Sequence, residues 1–335
     1  MDINIFWFII IVFLFTGFFF LEGFDYGVGI ILPFAAKNDE SRRMVFNSIG
    51  SVWDGNEVWM IGAGGVIFAA FPQWYATMFS SFYMALLVIL FALALRGVSF
   101  EFRGKSKHRT WRKTWDFLMF IASLLLALLW GVFVGNLVRG IPIGPKMTYV
   151  GNFGDLLNVY SLFVGLTFVF LFALHGCAFV RLKLQKDSII TKRIDKGLPA
   201  LHLITCIIFI IFIGYTTIET NILHNLPPLI LAVLSLLALI AAGIKIRKTQ
   251  KSTFIFTSIT IALITITVFV YNYPNVLVSS LNHDWNLTIY NASSSAYSMH
   301  IMRTVALIFV PIILVYQCFS YWVFRKRLTS KDLEY

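Results

Sequence analysis

The sequence predicts an all-α polytopic membrane protein with nine transmembrane helices, its N-terminus outside and its C-terminus cytoplasmic. Three observations lead there. Of 335 residues, 59% are hydrophobic and only 13% charged, too few charges to cover a soluble globular domain. The apolar residues gather in runs of about 20 or more, the length that crosses a hydrocarbon core. The basic residues alternate between connections, with 24 of the 27 in every second connection or in the C-terminal tail.

The expected spans run over roughly 3–34, 45–71, 76–97, 115–138, 156–181, 199–218, 226–245, 253–272 and 299–324. Together they make one integral-membrane domain over 1–335, with helices 1–4 at about 3–138 and helices 5–9 at about 156–324. The first two runs exceed what a bilayer needs, which implies tilt or extension beyond it. Met1-Asp2-Ile3-Asn4 carries no basic residue and no small-residue cleavage site follows, so the first run is expected to be a retained helix and not a signal peptide.

Charge sets the orientation. The connection after span 1 holds Lys37, Arg42 and Arg43, and that after span 3 holds Arg96, Arg103, Lys105, Lys107, Arg109, Arg112 and Lys113. Arg181, Lys183, Lys186, Lys192, Arg193 and Lys196 follow span 5. Lys245, Arg247, Lys248 and Lys251 follow span 7, and Arg325, Lys326, Arg327 and Lys331 form the tail. The opposite connections hold only Arg139 and Lys146, while Arg303 falls inside the last span. The positive-inside rule places the basic side in the cytoplasm. Topology thus accounts for the +11 formal charge, and no nucleic acid is required.

The outer connections are a short aromatic turn at Phe71-Pro72-Gln73-Trp74-Tyr75, a stretch with Gly140, Pro142, Gly144 and Pro145 leading to Asp155, and the segment 273–298. None holds a soluble domain, so chemistry is expected at or in the membrane.

Two polar motifs interrupt the first spans. Glu22-Gly23-Phe24-Asp25 and Asp54-Gly55-Asn56-Glu57 each place two carboxylates three residues apart, on one helical face. Facing lipid, four such acids would oppose insertion by roughly 10 kcal/mol. They are expected to face protein, water or each other. Asp25 and Asp54 each lie about ten residues, or about 15 Å, from the basic side. With Asp116 at the start of span 4, a chain of Asp116, Asp54, Glu57, Asp25 and Glu22 would make a cytoplasmic proton path, supported by Trp53, Asn56 and Trp59. Alternatively the acids lock helices together through bonds to backbone, Asn56 and the tryptophans. Gly23 and Gly27 form a GxxxG, which close helix packing explains.

Arg96, Glu101 and Arg103 read as a second charged cluster at the cytoplasmic end of span 3, placed to pin a loop or a lipid headgroup. Cys177, Cys206 and Cys318 stand singly in apolar runs, without metal-type spacing. His175 and His202 lie near the cytoplasmic side and invite comparison with a bis-histidine haem pair, although no spacing supports one. His300 and Arg303 read as an interfacial pair. No metal-binding or catalytic residue is expected in this chain.

The motifs EGFDYGVG (22–29) and WDGNEVW (53–59) resemble subunit II of the cytochrome bd quinol oxidases. So do the stretch from Phe68-Ala69-Ala70-Phe71-Pro72 through Phe82-Tyr83 to Arg96 and FEFR (100–103), Trp111-Arg112 with Trp115-Asp116, Gly135-Asn136-Leu137, and NASSS (291–295). The resemblance covers the whole chain and is densest in its first third.

The resemblance implies a terminal oxidase of the bacterial cytoplasmic membrane that takes electrons from quinol and reduces oxygen to water. Haem b, haem d and the quinol-oxidation loop would belong to subunit I, the partner in a heterodimer. A small single-helix accessory subunit, bound lipids and a bound quinone are further possible components. Subunit II would be two four-helix bundles plus one peripheral helix, lending acids to proton delivery. Asp25 matches the acid of the family's GFD, Asp54 that of WDGN and Asp116 that of the Trp-Asp pair. Glu22 stands where the family pattern admits Asp, and Glu57 where some members carry Gln. The residues alone leave open a proton-coupled transporter, for which no internal repeat is found, and a membrane scaffold with satisfied buried acids.

Overall fold

The computed structural model describes residues 1–246, 249–329 and 332, without the side chains of Leu223 and Lys245. Of the basic residues counted above, Arg247, Lys248, Lys331 and the Lys245 side chain lie outside the described residues. The chain is helical almost throughout, and eight helices among the described residues are long and apolar enough to cross a membrane.

The first of these, α1 (Ile3–Ala35), is the axis of the molecule. Asp2 caps it by accepting from the Asn4 and Ile5 amides. Its 33 residues reach about 50 Å, more than a ~30 Å core needs. From Leu21 to Leu32 every residue is buried.

The span expected at 45–71 is instead two helices, α2 (Asp39–Gly50) and α3 (Trp53–Ala70). Gly50 and Ser51 are weak helix formers, and the chain turns at Ser51–Val52 before restarting. Asp54 therefore falls in the first turn of a helix, where the dipole favours a carboxylate. With Asp54, Asn56, Glu57 and four glycines, α3 is too polar to count among the eight apolar helices.

The span expected at 76–97 is divided too. Pro72 opens α4 (Pro72–Ser81), a favoured first-turn position, so the aromatic segment 71–75 is mostly helix and not turn. Helix α5 (Tyr83–Phe102) follows, and a short 3-10 turn leads to α6 (Arg109–Arg139). After α7 (Phe153–Leu156), a single turn, come α8 (Val159–Lys183), α9 (Ile189–Glu219), α10 (Leu226–Lys245), α11 (Gln250–Asn272) and α12 (Ala296–Val323).

Helix α1 packs against α3, α6, α8 and α11, α5 packs on α6, and α9 and α10 complete the far side beyond α8 and α11. Helix α12 meets only α1 and α3 appreciably and buries one residue, Met299. The α1–α8 crossing depends on glycine. A Cβ at Gly27 would stand 1.9 Å from the Phe172 carbonyl oxygen, and one at Gly176 would stand 2.3 Å from the Gly27 carbonyl carbon. The same holds where Gly131 of α6 meets Gly165 of α8, with 2.5 Å between a Gly131 Cβ and the Gly165 Cα.

The connections 140–152 and 273–295 knit into one cap. A small antiparallel pair, β1 (Asn275–Leu277) and β2 (Leu287–Thr288), sits in the long connection. The Ile141 amide donates to the Val278 carbonyl, the Ser280 amide to Ile141, and the Ser279 hydroxyl to the Ile143 carbonyl. Gly140 makes this approach with φ +90, a left-handed conformation that glycine adopts without strain. Thr77 donates to the Met147 carbonyl, the Ser294 amide to the Ala70 carbonyl, and Asn272 to the Leu137 carbonyl, so the cap also holds the helix ends below it.

Gly176→Ala is expected to destabilise the protein by about 2 kcal/mol or more, because backbone and not a movable side chain blocks the added methyl. Gly214→Ala, where nothing lies within 4 Å of the new Cβ, is expected to leave stability unchanged or slightly raised. Thermal unfolding in detergent distinguishes the two.

Candidate functional site: a buried arginine among three carboxylates

More than a turn before the end of α5, Arg96 stands fully buried with Glu22 and Asp25 of α1, each 0% exposed. Its Nη1 donates to Glu57 Oε1 at 2.7 Å and to Glu22 Oε2 at 3.2 Å. Its Nη2 lies 3.8 Å from Asp25 Oδ2. Two helices, α1 and α3, thus bring three acids to one guanidinium on a third, a group that stays charged throughout the accessible pH range. The rings of Tyr26 and Trp53 flank it at 5.1 and 5.8 Å, a favourable setting for a desolvated cation.

Around this core the motif residues take distinct parts. Asn56 is buried and donates through Nδ2 to Asp25 Oδ2 at 2.6 Å. Its Oδ1 accepts from Tyr321 Oη at 2.8 Å and Gln317 Nε2 at 3.2 Å, both on α12. Two donors on the oxygen turn the amide so that its N–H groups face the carboxylate. Trp53 stacks on Phe100 with ring centroids 4.8 Å apart and planes at 6°. Trp59 lies against Gly17 of α1, where a Cβ would come within 2.1 Å of the indole. Glu22 Oε1 and Asp25 Oδ1 are buried without a hydrogen-bond partner.

The structure thus joins Glu22, Asp25, Glu57 and Asn56 but not all of the expected chain. Asp54, one helical turn before Glu57, is exposed on the surface of this chain. Asp116 belongs to another group of charges. It accepts from Arg103 Nε and Arg42 Nη1, each at 2.6 Å, and Asp39 accepts from Arg103 Nη2 at 2.8 Å and Arg112 Nη1 at 2.7 Å. The expected cluster of Arg96, Glu101 and Arg103 does not form. Arg96 lies in the buried acid cluster, Arg103 in the Asp116 network, and Glu101 is exposed. A helix that continues to Phe102 keeps Arg96 inside the packed region, where a span ending at 97 would have put it at the edge.

Sequence reasoning missed Arg96 as the counter-ion and missed Gln317 and Tyr321 altogether. Those two stand four residues apart and so share one face of α12, a polar pair in an otherwise apolar run.

His175 and His202 do not fit a bis-histidine haem pair. The ring nitrogens of His175 bond to Thr257 Oγ1 at 2.8 Å and the Phe20 carbonyl at 3.2 Å, and its ring stacks on Phe254 at 4.7 Å. His202 Nε2 bonds to the Leu239 carbonyl at 2.8 Å, so each imidazole is held by its own neighbours.

Long apolar helices around a buried, charged polar site define a polytopic membrane protein whose ionisable residues face its interior. Comparison with known proteins gives the family. Over residues 3–324 the chain matches cytochrome bd terminal oxidase subunit II, and it belongs to that family. It is 40% identical to cytochrome bd ubiquinol oxidase subunit 2 of Bacillus subtilis (strain 168), covering 97% of both chains. To cytochrome bd-I ubiquinol oxidase subunit 2 of Escherichia coli (strain K12) it is 33% identical, over 98% of this chain and 96% of that one. Its fold resembles a chain of the bd oxidase structure from Geobacillus thermodenitrificans with a TM-score of 0.74 at 16% identity, covering 97% of this chain and 100% of that one. It is therefore a multi-pass protein of the bacterial cytoplasmic membrane and a bd-type terminal oxidase subunit of respiratory electron transport.

Arg96→Gln is expected to cost 3–5 kcal/mol, about the penalty for leaving buried charges unpaired, and to lower the yield of folded protein sharply. Arg96→Lys keeps the charge but loses the fork that reaches several carboxylates, so its loss is expected to be smaller. Yield from membranes and the thermal midpoint of each variant measure the order.

Proposed function

We propose that this chain is the haem-free subunit II of a bd-type quinol oxidase, supporting a haem-bearing subunit I and delivering protons toward it from the cytoplasm. In this reading subunit I carries haem b and haem d and oxidises the quinol, and the two subunits form a heterodimer. Relatives named as ubiquinol oxidase subunits support the assignment of the complex. A small accessory subunit, lipids and a quinone remain further components of the proposed assembly. We take α3 as the ninth span, giving two four-helix bundles, α1, α3, α5 and α6 against α8 to α11, with α12 peripheral. The basic connections then lie in the cytoplasm and the β1–β2 cap outside.

The observation that carries the proton path is the cluster of Glu22, Asp25 and Glu57 on Arg96. Three carboxylates share one fixed cation, so the charge of the cluster can change by protons while Arg96 stays as it is. Asp54, exposed one turn before Glu57, is the member that would exchange with water or with the partner subunit. From it a proton would pass to Glu57, which is half-buried beside Arg96, and on to the unpartnered oxygens of Glu22 and Asp25. Asn56 would hold Asp25 in position. Asp116, clasped by two arginines, is assigned an anchoring role at the inner helix ends and not a place in the relay.

The reduced-minus-oxidised visible spectrum tests the assignment. Haem signals are expected from the complex purified through a tag on this chain and none from the chain expressed alone. No haem in either preparation would point to a transporter, and haem in the isolated chain would overturn the haem-free assignment. In the same complex Asp54→Asn is expected to keep the haem spectrum and slow oxygen uptake on the order of tenfold. Unchanged turnover across pH would remove Asp54 from the path.

Tyr321→Phe takes one of the two donors from Asn56 Oδ1 and lets the amide turn. It is expected to displace the pH profile of oxygen uptake while haem content and assembly stay as in the unsubstituted complex. A purely structural Tyr321 would change assembly or leave the profile alone.

A further inference from the structure

On the opposite side of α1 from the acid cluster, α1, α6, α8 and α9 enclose a groove of about 610 Å³. Its wall is apolar, formed by Ile31, Phe34, Phe120, Ala173, Cys177 and Leu201 among others. At its mouth, on the first turns of α9, stand Arg193 and Lys196. This is the end of the molecule where the basic connections gather.

The charge at the mouth is unbalanced. Asp195, the acid between the two cations, is ion-paired with Arg181 at 2.6 Å and does not neutralise them. Arg193 donates one N–H to the Ala35 carbonyl at 2.7 Å, which fixes the guanidinium over the end of α1. A guanidinium has five N–H donors, so others remain for a ligand. Lys196 is exposed and mobile enough to follow an anion. Beside it Gly197 has no atom within 4 Å of where a Cβ would stand, so the groove is open at that point.

An apolar channel running along membrane-spanning helices and ending at two cations matches one kind of molecule. A soluble anion would leave the channel empty, and a neutral lipid would leave the cations without a partner. We propose that this groove is a binding site for one anionic phospholipid, with its phosphate on Arg193 and Lys196 and an acyl chain along the Ile31–Phe34–Leu201 wall. The site does not depend on the proton path and uses none of its residues.

Native mass spectrometry of the detergent-washed complex, titrated with phosphatidylglycerol or phosphatidylcholine in mixed micelles, tests the proposal. The unsubstituted complex is expected to retain one phosphatidylglycerol that the Arg193→Gln/Lys196→Gln double variant holds roughly tenfold more weakly, the scale expected for two basic groups at an anionic lipid. Gly197→Leu fills the groove without changing charge, and it is expected to lose the same lipid. Phosphatidylcholine retained as well as phosphatidylglycerol would overturn the anionic preference. Equal phosphatidylglycerol counts in all three proteins would overturn the site, including the case in which a partner subunit covers the groove.

Discussion

Arg96 is the constraint on which the first half of the molecule depends. A guanidinium with no exposure, among three carboxylates from α1 and α3, can be accommodated only if those helices meet α5 at one rotation and one height. Buried ion pairs add little net stability because desolvation offsets the attraction, but breaking one is expensive. The cluster therefore acts on register. Shifting any of the three helices by a turn would strand a charge in a low-dielectric interior. Asn56 extends the same constraint to α12, which buries little surface of its own and relies on Gln317 and Tyr321 for its inner tie.

A second charge system sits at the helix ends on the basic side and differs in kind. Asp116 and Asp39 bridge Arg42, Arg103 and Arg112 from α2, the turn after α5, and α6. Several of its members are part-exposed, so solvent screens them and each pair contributes modestly. Its value is collective, since the carboxylates fasten three helix ends that would otherwise repel as a basic surface. One system orders helices inside the bundle and the other closes the basic rim.

Much of this was legible in the chain itself. Carboxylates three residues apart in two apolar runs announced a shared interior site, and the structure brings Glu22, Asp25 and Glu57 together. Arg96 was misplaced for a physical reason. A count of basic residues near a span's end cannot tell a loop arginine from one still a turn and a half inside a continuing helix. Asp54 and Glu57 lie one turn apart on α3, which restarts after a break at Ser51, yet only Glu57 reaches Arg96 and Asp54 stays exposed. That break rests on a Gly-Ser pair whose weak helix preference is seldom decisive alone. Long-range partners such as Tyr321, 265 residues from Asn56, leave no local signal beyond being polar in an apolar run.

The cap also bears on how the chain is assembled during synthesis. Ala70, in the first third of the sequence, accepts a hydrogen bond from the Ser294 amide, which is made more than two hundred residues later. The junction of α3 and α4 therefore gains this tie only once the segment between α11 and α12 has been made. Domains usually settle in order from the N-terminus as they emerge, and here the Arg96 cluster forms within the first half alone while the tie at Ala70 waits for the second. A chain cut short after α10 would hold the Arg96 cluster and lack the bonds that Ser294 and Asn272 give to Ala70 and Leu137.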